Sequence, residues 1–178
     1  DLHFGSYESS PEQALATSTR FFKEAGAMAV KLEGAHLAAV EKLTTAGIPV
    51  MGHLGLTPQS LHQLGGYRVQ GRTDGDAIVE AAIALEKAGA FAIVLELVPA
   101  DLASRISKVL TVPTIGIGAG TDCDAQVLVW TDMAGLTANP PKLAKAYRNL
   151  RKELMGAAQE FAEEVRSGKF PTESQTFH

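Results

Sequence analysis

The stretch Asp76-Ala77-Ile78-Val79-Glu80-Ala81-Ala82-Ile83-Ala84-Leu85-Glu86-Lys87-Ala88-Gly89-Ala90-Phe91-Ala92-Ile93-Val94-Leu95-Glu96-Leu97 decides the fold. Residues 76–88 read as a helix, Gly89 ends it, and Phe91 to Leu97 follow as a strand, so a helix leads into a strand across one short turn. Within that strand Phe91, Ile93, Leu95 and Leu97 form one face, suited to packing on helices, while Ala92, Val94 and Glu96 share the other. The same order precedes it twice. Ser10-Pro11-Glu12-Gln13 predicts a helix start, with Ser10 as cap, Pro11 in the first turn and Gln13 closing a capping box. Leu15, Ser18, Phe22 and Ala25 then recur at helical spacing, Gly26 stops the helix, and a strand is expected over 27–33 with Met28, Val30 and Leu32 opposite Lys31 and Glu33. Helix 36–46, Gly47 and strand Ile48 to His53 repeat the unit.

Beyond the deciding stretch, Pro99 and Asp101 open a helix carrying Leu102, Ile106, Val109 and Leu110. Strands are expected at Pro113 to Gly118 and at Val127 to Trp130. After Pro140-Pro141 a long helix is expected to about Arg166, striped by Leu143, Tyr147, Leu150, Leu154, Ala158, Phe161 and Val165. Alternating strands and helices imply parallel pairing, in an open doubly wound sheet or an eight-fold barrel. A barrel usually needs about 250 residues, so with 178 residues it requires two or three units beyond this chain. Asp1 is then expected to be the last residue of a strand whose body lies outside it.

A length of 178 residues suits one domain, 1–178, with a sizeable core. With 16 basic and 20 acidic residues interspersed, no basic stripe points to nucleic acid or an anionic membrane. A lone cysteine, Cys123, excludes an internal disulfide and fits a reducing compartment. No apolar run approaches the roughly 18 residues of a membrane span.

The charges inside the strands carry the chemistry. Lys31 and Glu33, then His53, then Glu96 lie near the C-terminal ends of three successive apolar strands, where α/β folds bind ligands. Burying an unpaired carboxylate costs several kcal/mol, so Glu96 calls for a partner or a metal. Together these groups suit acid/base work, and Asp1 adds a third carboxylate that makes an oxygen-bound divalent ion such as Mg²⁺ reasonable. The bland alternatives are a structural ion pair for Lys31 and Glu33 and a hydrogen-bonded core histidine for His53. The loop 54–75 exceeds ordinary connections and carries Tyr67, Arg68 and Arg72 between glycines, an arrangement suited to a lid over an anion. Gly116-Ile117-Gly118-Ala119-Gly120 has the look of a backbone nest for an anion, without the dinucleotide fingerprint.

Several segments together resemble the ketopantoate hydroxymethyltransferase family: Asp1-Leu2-His3-Phe4-Gly5-Ser6-Tyr7, Val30-Lys31-Leu32-Glu33-Gly34, Gly52-His53-Leu54-Gly55-Leu56-Thr57-Pro58-Gln59-Ser60, Gly65-Gly66-Tyr67-Arg68-Val69-Gln70-Gly71-Arg72, Leu95-Glu96-Leu97-Val98-Pro99, Ile115-Gly116-Ile117-Gly118-Ala119-Gly120 and Gln126-Val127-Leu128-Val129. The resemblance implies a (β/α)8 TIM barrel, of which this chain holds the part from about the end of strand 3 to the C-terminal helix. It implies transfer of a one-carbon unit from 5,10-methylenetetrahydrofolate to 3-methyl-2-oxobutanoate, giving 2-dehydropantoate for pantothenate synthesis. Asp1 then corresponds to a substrate-binding carboxylate and Mg²⁺ ligand, Glu33 to a further metal ligand, Lys31 and His53 to substrate-binding groups, and Glu96 to the catalytic proton acceptor. The family keeps another metal-binding Asp and a substrate-binding Ser in the region before Asp1, and has Pro and Gly where this chain has His3 and Ala125. A cytoplasmic homo-oligomer, commonly a decamer, is also implied. Two other readings stand beside this one: a catalytically incomplete scaffold or assembly subunit, and a Mg²⁺-enolate barrel of the phosphoenolpyruvate mutase kind, which would need a gating-loop cysteine that Cys123 does not match.

Overall fold

The computed structural model describes residues 1–178, in two compact units, Asp1–Val127 and Leu128–His178. In the first unit, helix α1 (Pro11–Ala25) is followed by β1 (Val30–Glu33), α2 (Leu37–Thr45) and β2 (Val50–Gly55). A 3₁₀ turn (Pro58–Ser60) and a one-turn helix α3 (Leu61–Leu64) interrupt the long connection to α4 (Gly75–Lys87). Then come β3 (Ala92–Glu96), α5 (Ala100–Val109), β4 (Thr114–Ile117) and β5 (Ala125–Gln126). All four strand pairs are parallel, in the order β1-β2-β3-β4-β5. That strictly sequential order is what consecutive units of a β/α barrel produce, whereas a doubly wound sheet reverses its order at a switch point. The sheet is therefore an arc of a barrel, open because β1 and β5 do not pair.

Alternation along the strands separates packing from chemistry. Val30, Leu32, Val50, Leu54, Ile93 and Leu95 point to the helices and join Leu43, Leu85 and Ile106 in one buried cluster. Each fully buried Leu or Ile contributes about 1.5–3 kcal/mol over an exposed one. Gly52 interrupts the apolar pattern on that face because a Cβ there would lie 3.0 Å from Leu85 Cδ1. The opposite face carries Lys31, Glu33, His53, Val94 and Glu96, at registers that set Glu33 beside His53, His53 beside Val94 and Gly55 beside Glu96.

The helix α1 begins as expected, with Gln13 N–H donating to Ser10 Oγ at 3.1 Å and Gly26 closing it in the left-handed region. The capping box differs: Gln13 Oε1 accepts from Ser9 N, at 3.2 Å, instead of from Ser10. Ala25 is exposed rather than part of the buried stripe. β1 starts at Val30, where Val30 N–H finds Pro49 O at 3.0 Å, and Met28 stands 86% exposed ahead of the ladder. β2 is shifted to Val50–Gly55 because its register with β3 continues to Glu96.

In the second unit the strand expected over Val127–Trp130 is absent. The ladder ends where Val127 N–H donates to Gly116 O, and polar Thr131-Asp132 favour a turn, so Trp130–Met133 form the short helix α6. The long helix α7 (Leu150–Ser167) begins about eight residues later than the double proline suggests. Asn149 caps it by accepting from Lys152 N at 3.2 Å, while Tyr147 N–H is already committed to Met133 O. Its stripe does not form a core in this chain, since Leu154 and Phe161 are 62% and 55% exposed. No helix is long and apolar enough to cross a membrane.

Candidate active site

Five ionisable side chains meet at the C-terminal ends of β1, β2 and β3, four from the strands themselves and one from Asp1. Lys31 Nζ lies 3.0 Å from Asp1 Oδ1 and 3.2 Å from His53 Nδ1. His53 Nε2 lies 3.2 Å from Glu96 Oε2, and Nδ1 lies 4.0 Å from Glu33 Oε1. All five residues singled out from sequence are thus brought together. The side chains of His53, Glu33 and Glu96 retain 5%, 8% and 14% of their exposure, so these polar groups are drawn out of water by the fold itself.

The lysine fixes the histidine. An ammonium has only donors, so Nδ1 must accept, and the neutral ring carries its proton on Nε2, facing Glu96. At 3.2 Å that N–H is near enough to the carboxylate but out of line for a hydrogen bond, which leaves buried Nε2 without a partner. A buried polar atom in that state is a place for a ligand or a small rotation. Burial holds the Lys31 ammonium below its usual range, only partly offset by the carboxylates of Glu33 and Glu96.

Asp1, Glu33 and Glu96 face one side-chain ammonium, an excess of two negative side-chain charges if His53 is neutral. That balance suits a divalent cation. No three His, Cys, Asp or Glu side chains converge closely enough to hold an ion by themselves. A hard cation such as Mg²⁺ needs no such cage, since it is commonly held by one or two carboxylates with water and substrate oxygens, and the Asp1 and Glu33 carboxylates fit that donor set.

Three further residues escaped the sequence reading. Gln59, in the turn after β2, donates its backbone N–H to Glu33 Oε2 at 2.8 Å and its side-chain amide to Leu2 O at 2.8 Å. Tyr7, 2% exposed, donates to Gln59 Oε1 at 2.9 Å, and its own pKa is pushed up to about 12, chiefly by burial. Leu97, directly after Glu96, adopts φ 47°, the one non-glycine residue in the left-handed region. All three lie within segments that carry the family resemblance, but residue type and spacing assign none of them a role, and Leu97 continues an apolar alternation that predicts strand.

Elsewhere, Tyr67, Arg68 and Arg72 are exposed on the 54–75 connection, which is tied down where Gln70 N–H donates to Leu97 O at 2.9 Å. In the glycine run, Gly118 and Gly120 have positive φ, and a Cβ on Gly120 would stand 2.5 Å from Ala100 Cβ, so close packing on α5 accounts for that glycine.

Comparison with known proteins identifies the family. The family model described as ketopantoate hydroxymethyltransferase matches residues 1–173. The 3-methyl-2-oxobutanoate hydroxymethyltransferase of Frankia alni is 60% identical over 99% of this chain and 60% of its own length. That of Thermobifida fusca is 58% identical over 99% of this chain and 65% of its own. A solved phosphonopyruvate hydrolase superposes with a TM-score of 0.49 at 16% identity, covering 94% of this chain and 61% of that one; the fold rests on the sheet order and not on this likeness. The chain spans about 60% of the length of its Frankia alni relative. With the family model matched along nearly its whole length, the chain belongs to the ketopantoate hydroxymethyltransferase family.

Proposed function

We propose that this chain carries the proton-abstracting side of a hydroxymethyltransferase that converts 3-methyl-2-oxobutanoate and 5,10-methylenetetrahydrofolate to 2-dehydropantoate and tetrahydrofolate, a step of pantothenate synthesis. The observation that carries the reading is the convergence of Asp1, Lys31, Glu33, His53 and Glu96 at one end of a parallel sheet. Glu96 is the catalytic residue, whose carboxylate takes the proton from C3 of the oxo acid. The carbon so freed forms the new C–C bond to the one-carbon unit, water supplies the hydroxyl oxygen, and tetrahydrofolate leaves. Lys31 supplies a partly buried positive charge for the substrate carboxylate or keto oxygen, where low dielectric strengthens it. His53, its Nδ1 engaged by Lys31, has Nε2 free to hydrogen-bond the substrate beside Glu96. Asp1 and Glu33 would hold Mg²⁺, which when bound stabilises negative charge developing on the 2-oxo acid. The family resemblance further supports a cytoplasmic homo-oligomer, a decamer, acting on these small molecules.

Proton NMR of 3-methyl-2-oxobutanoate in D₂O with Mg²⁺ and no folate tests the base directly. The C3 proton signal is expected to disappear with the unaltered chain and to persist with Glu96→Gln, slowed by about 10²–10⁴-fold as for loss of a general base. Equal rates in the two proteins would refute the role of Glu96. A folded chain with no exchange would favour the alternative of an assembly subunit, for which the bare apolar stripe of α7 speaks.

A further inference from the structure

The sheet stops being a sheet at Leu2, and the way it stops involves the candidate metal ligands. Leu2 N–H donates to Lys31 O at 3.0 Å, the rung a parallel strand would make beside β1. In a parallel ladder the next rung would run from Glu33 N–H to Leu2 O. Neither group makes it. Glu33 N–H instead approaches the Tyr7 hydroxyl at 3.4 Å, and Leu2 O accepts from Gln59 Nε2 at 2.8 Å. Tyr7 OH in turn donates to Gln59 Oε1 at 2.9 Å. The missing rung is replaced by a side-chain bridge, and the same Gln59 gives its backbone N–H to Glu33 Oε2.

We propose that Gln59, oriented by Tyr7, is a positioning residue that sets the Asp1 carboxylate against that of Glu33. The inference rests on reading those two carboxylates as the metal ligands. Leu2 is fully buried and held at both of its backbone groups, by Lys31 and by Gln59. Its neighbour Asp1 consequently projects to the mouth with Oδ1 at Lys31. A primary amide is required: it must donate to a carbonyl and accept from a hydroxyl at once, which a carboxylate of the same length cannot do. The bond from Gln59 N–H to Glu33 survives any substitution that keeps the backbone N–H. Substitution at Gln59 therefore loosens Asp1 and leaves Glu33 in place.

The test uses Mn²⁺ as the probe, followed by water-proton relaxation, with amide hydrogen exchange on the same proteins. Gln59→Met is expected to weaken Mn²⁺ binding about tenfold, as for loss of a partner that orients a ligand. It is expected to speed exchange at Leu2 at least about tenfold, the size of one lost hydrogen bond, while Ile93 and Leu95 stay protected. Gln59→Glu, which keeps the acceptor and loses the donor, should resemble Gln59→Met. In an Asp1→Asn background Gln59→Met should cost little further affinity, because Gln59 acts through Asp1; a general loosening of the fold would cost the same in both backgrounds. Unchanged Leu2 exchange, unchanged Mn²⁺ affinity, wild-type behaviour of Gln59→Glu, or full additivity with Asp1→Asn would each overturn the proposal. If the unaltered chain binds no Mn²⁺, the metal reading itself falls, and the bridge is decided by Leu2 exchange alone.

Discussion

Replacing Gly55 by alanine probes how tightly the end of β2 is pressed against the backbone of Glu96. Gly55 has φ 89°, and a Cβ built on it would lie 2.1 Å from Glu96 O and 2.7 Å from Val98 Cγ1. The carbonyl cannot retreat freely, because it already accepts Leu56 N–H at 2.8 Å, and Leu97 N–H is held by Ile117 O at 2.9 Å. Two costs add. A left-handed conformation costs a non-glycine residue about 1–2 kcal/mol, and forcing an extra carbon into a packed site costs about 1–3 kcal/mol. The sum, about 2–5 kcal/mol, lowers a urea midpoint by roughly 1–3 M at an m-value near 2 kcal/mol/M. Gly26→Ala separates the two contributions, since Gly26 has φ 66° but nothing within 4 Å of its would-be Cβ, so it carries the backbone cost alone. Urea unfolding followed by circular dichroism should rank Gly55→Ala well below Gly26→Ala. Equal midpoints for the two variants would refute the close approach of β2 to the Glu96 carbonyl.

Three more outcomes follow from single residues. Ser18 is fully buried in α1 with its hydroxyl unpartnered; Ser18→Ala removes an unmet polar group and improves helix propensity, and should raise Tm by about 2–8 °C for roughly 1–2 kcal/mol, whereas a fall in Tm would show that the hydroxyl has a partner. Leu97→Gly loses an apolar side chain but relieves about 1–2 kcal/mol of left-handed strain, so its stability should stay within about 1 kcal/mol of the parent, against the 2–5 kcal/mol expected for Ile93→Ala; a loss near that of Ile93→Ala in the same urea titration would show no strain at Leu97. The Glu86 carboxyl is held below its ordinary range by hydrogen bonds from the Thr111 hydroxyl and the Thr111 and Val112 amides. The unfolded state therefore takes up the proton first, so the stability Glu86 contributes is full above about pH 4.5 and is lost as pH falls through its lower folded value. Midpoints measured from pH 6 to pH 3 should drop more steeply for the parent than for Glu86→Gln, and parallel curves would remove the assignment.

The elements that alternate cleanly were legible because period and burial coincide. In β3, Ile93 and Leu95 reach the core while Val94 and Glu96 turn away, as the spacing requires. Sequence also placed Lys31, Glu33, His53 and Glu96 at one mouth, since a charge near the end of an apolar strand has few other places to go. The second unit was less legible because its apolar residues do not report burial there: Leu150, Leu154 and Val165 keep helical spacing while remaining 42%, 62% and 47% exposed. The start of α7 is set by a cap at Asn149, not by the prolines before it. The bridge from Gln59 to Leu2 spans 57 residues, and no local pattern can announce a hydrogen bond over that distance.

The strain at Leu97 and the orphaned Nε2 of His53 belong to one arrangement. Unfavourable backbone persists only where its surroundings over-determine it, and Leu97 is fixed from both sides, its N–H by Ile117 on β4 and its O by Gln70 from the long connection. Glu96 O is fixed as well, by Leu56 beyond β2. The backbone carrying the carboxylate is thus held by β4, by the end of β2 and by the 54–75 connection together. Its side chain lacks the in-line bond to His53 that a structural ion pair would make. A carboxylate on rigid backbone with an unspent hydrogen-bonding partner 3.2 Å away is poor for stability and suited to proton transfer. That combination suits the proton transfer proposed for Glu96, since the backbone behind the carboxylate is held while the hydrogen-bonding capacity of its neighbour is unspent.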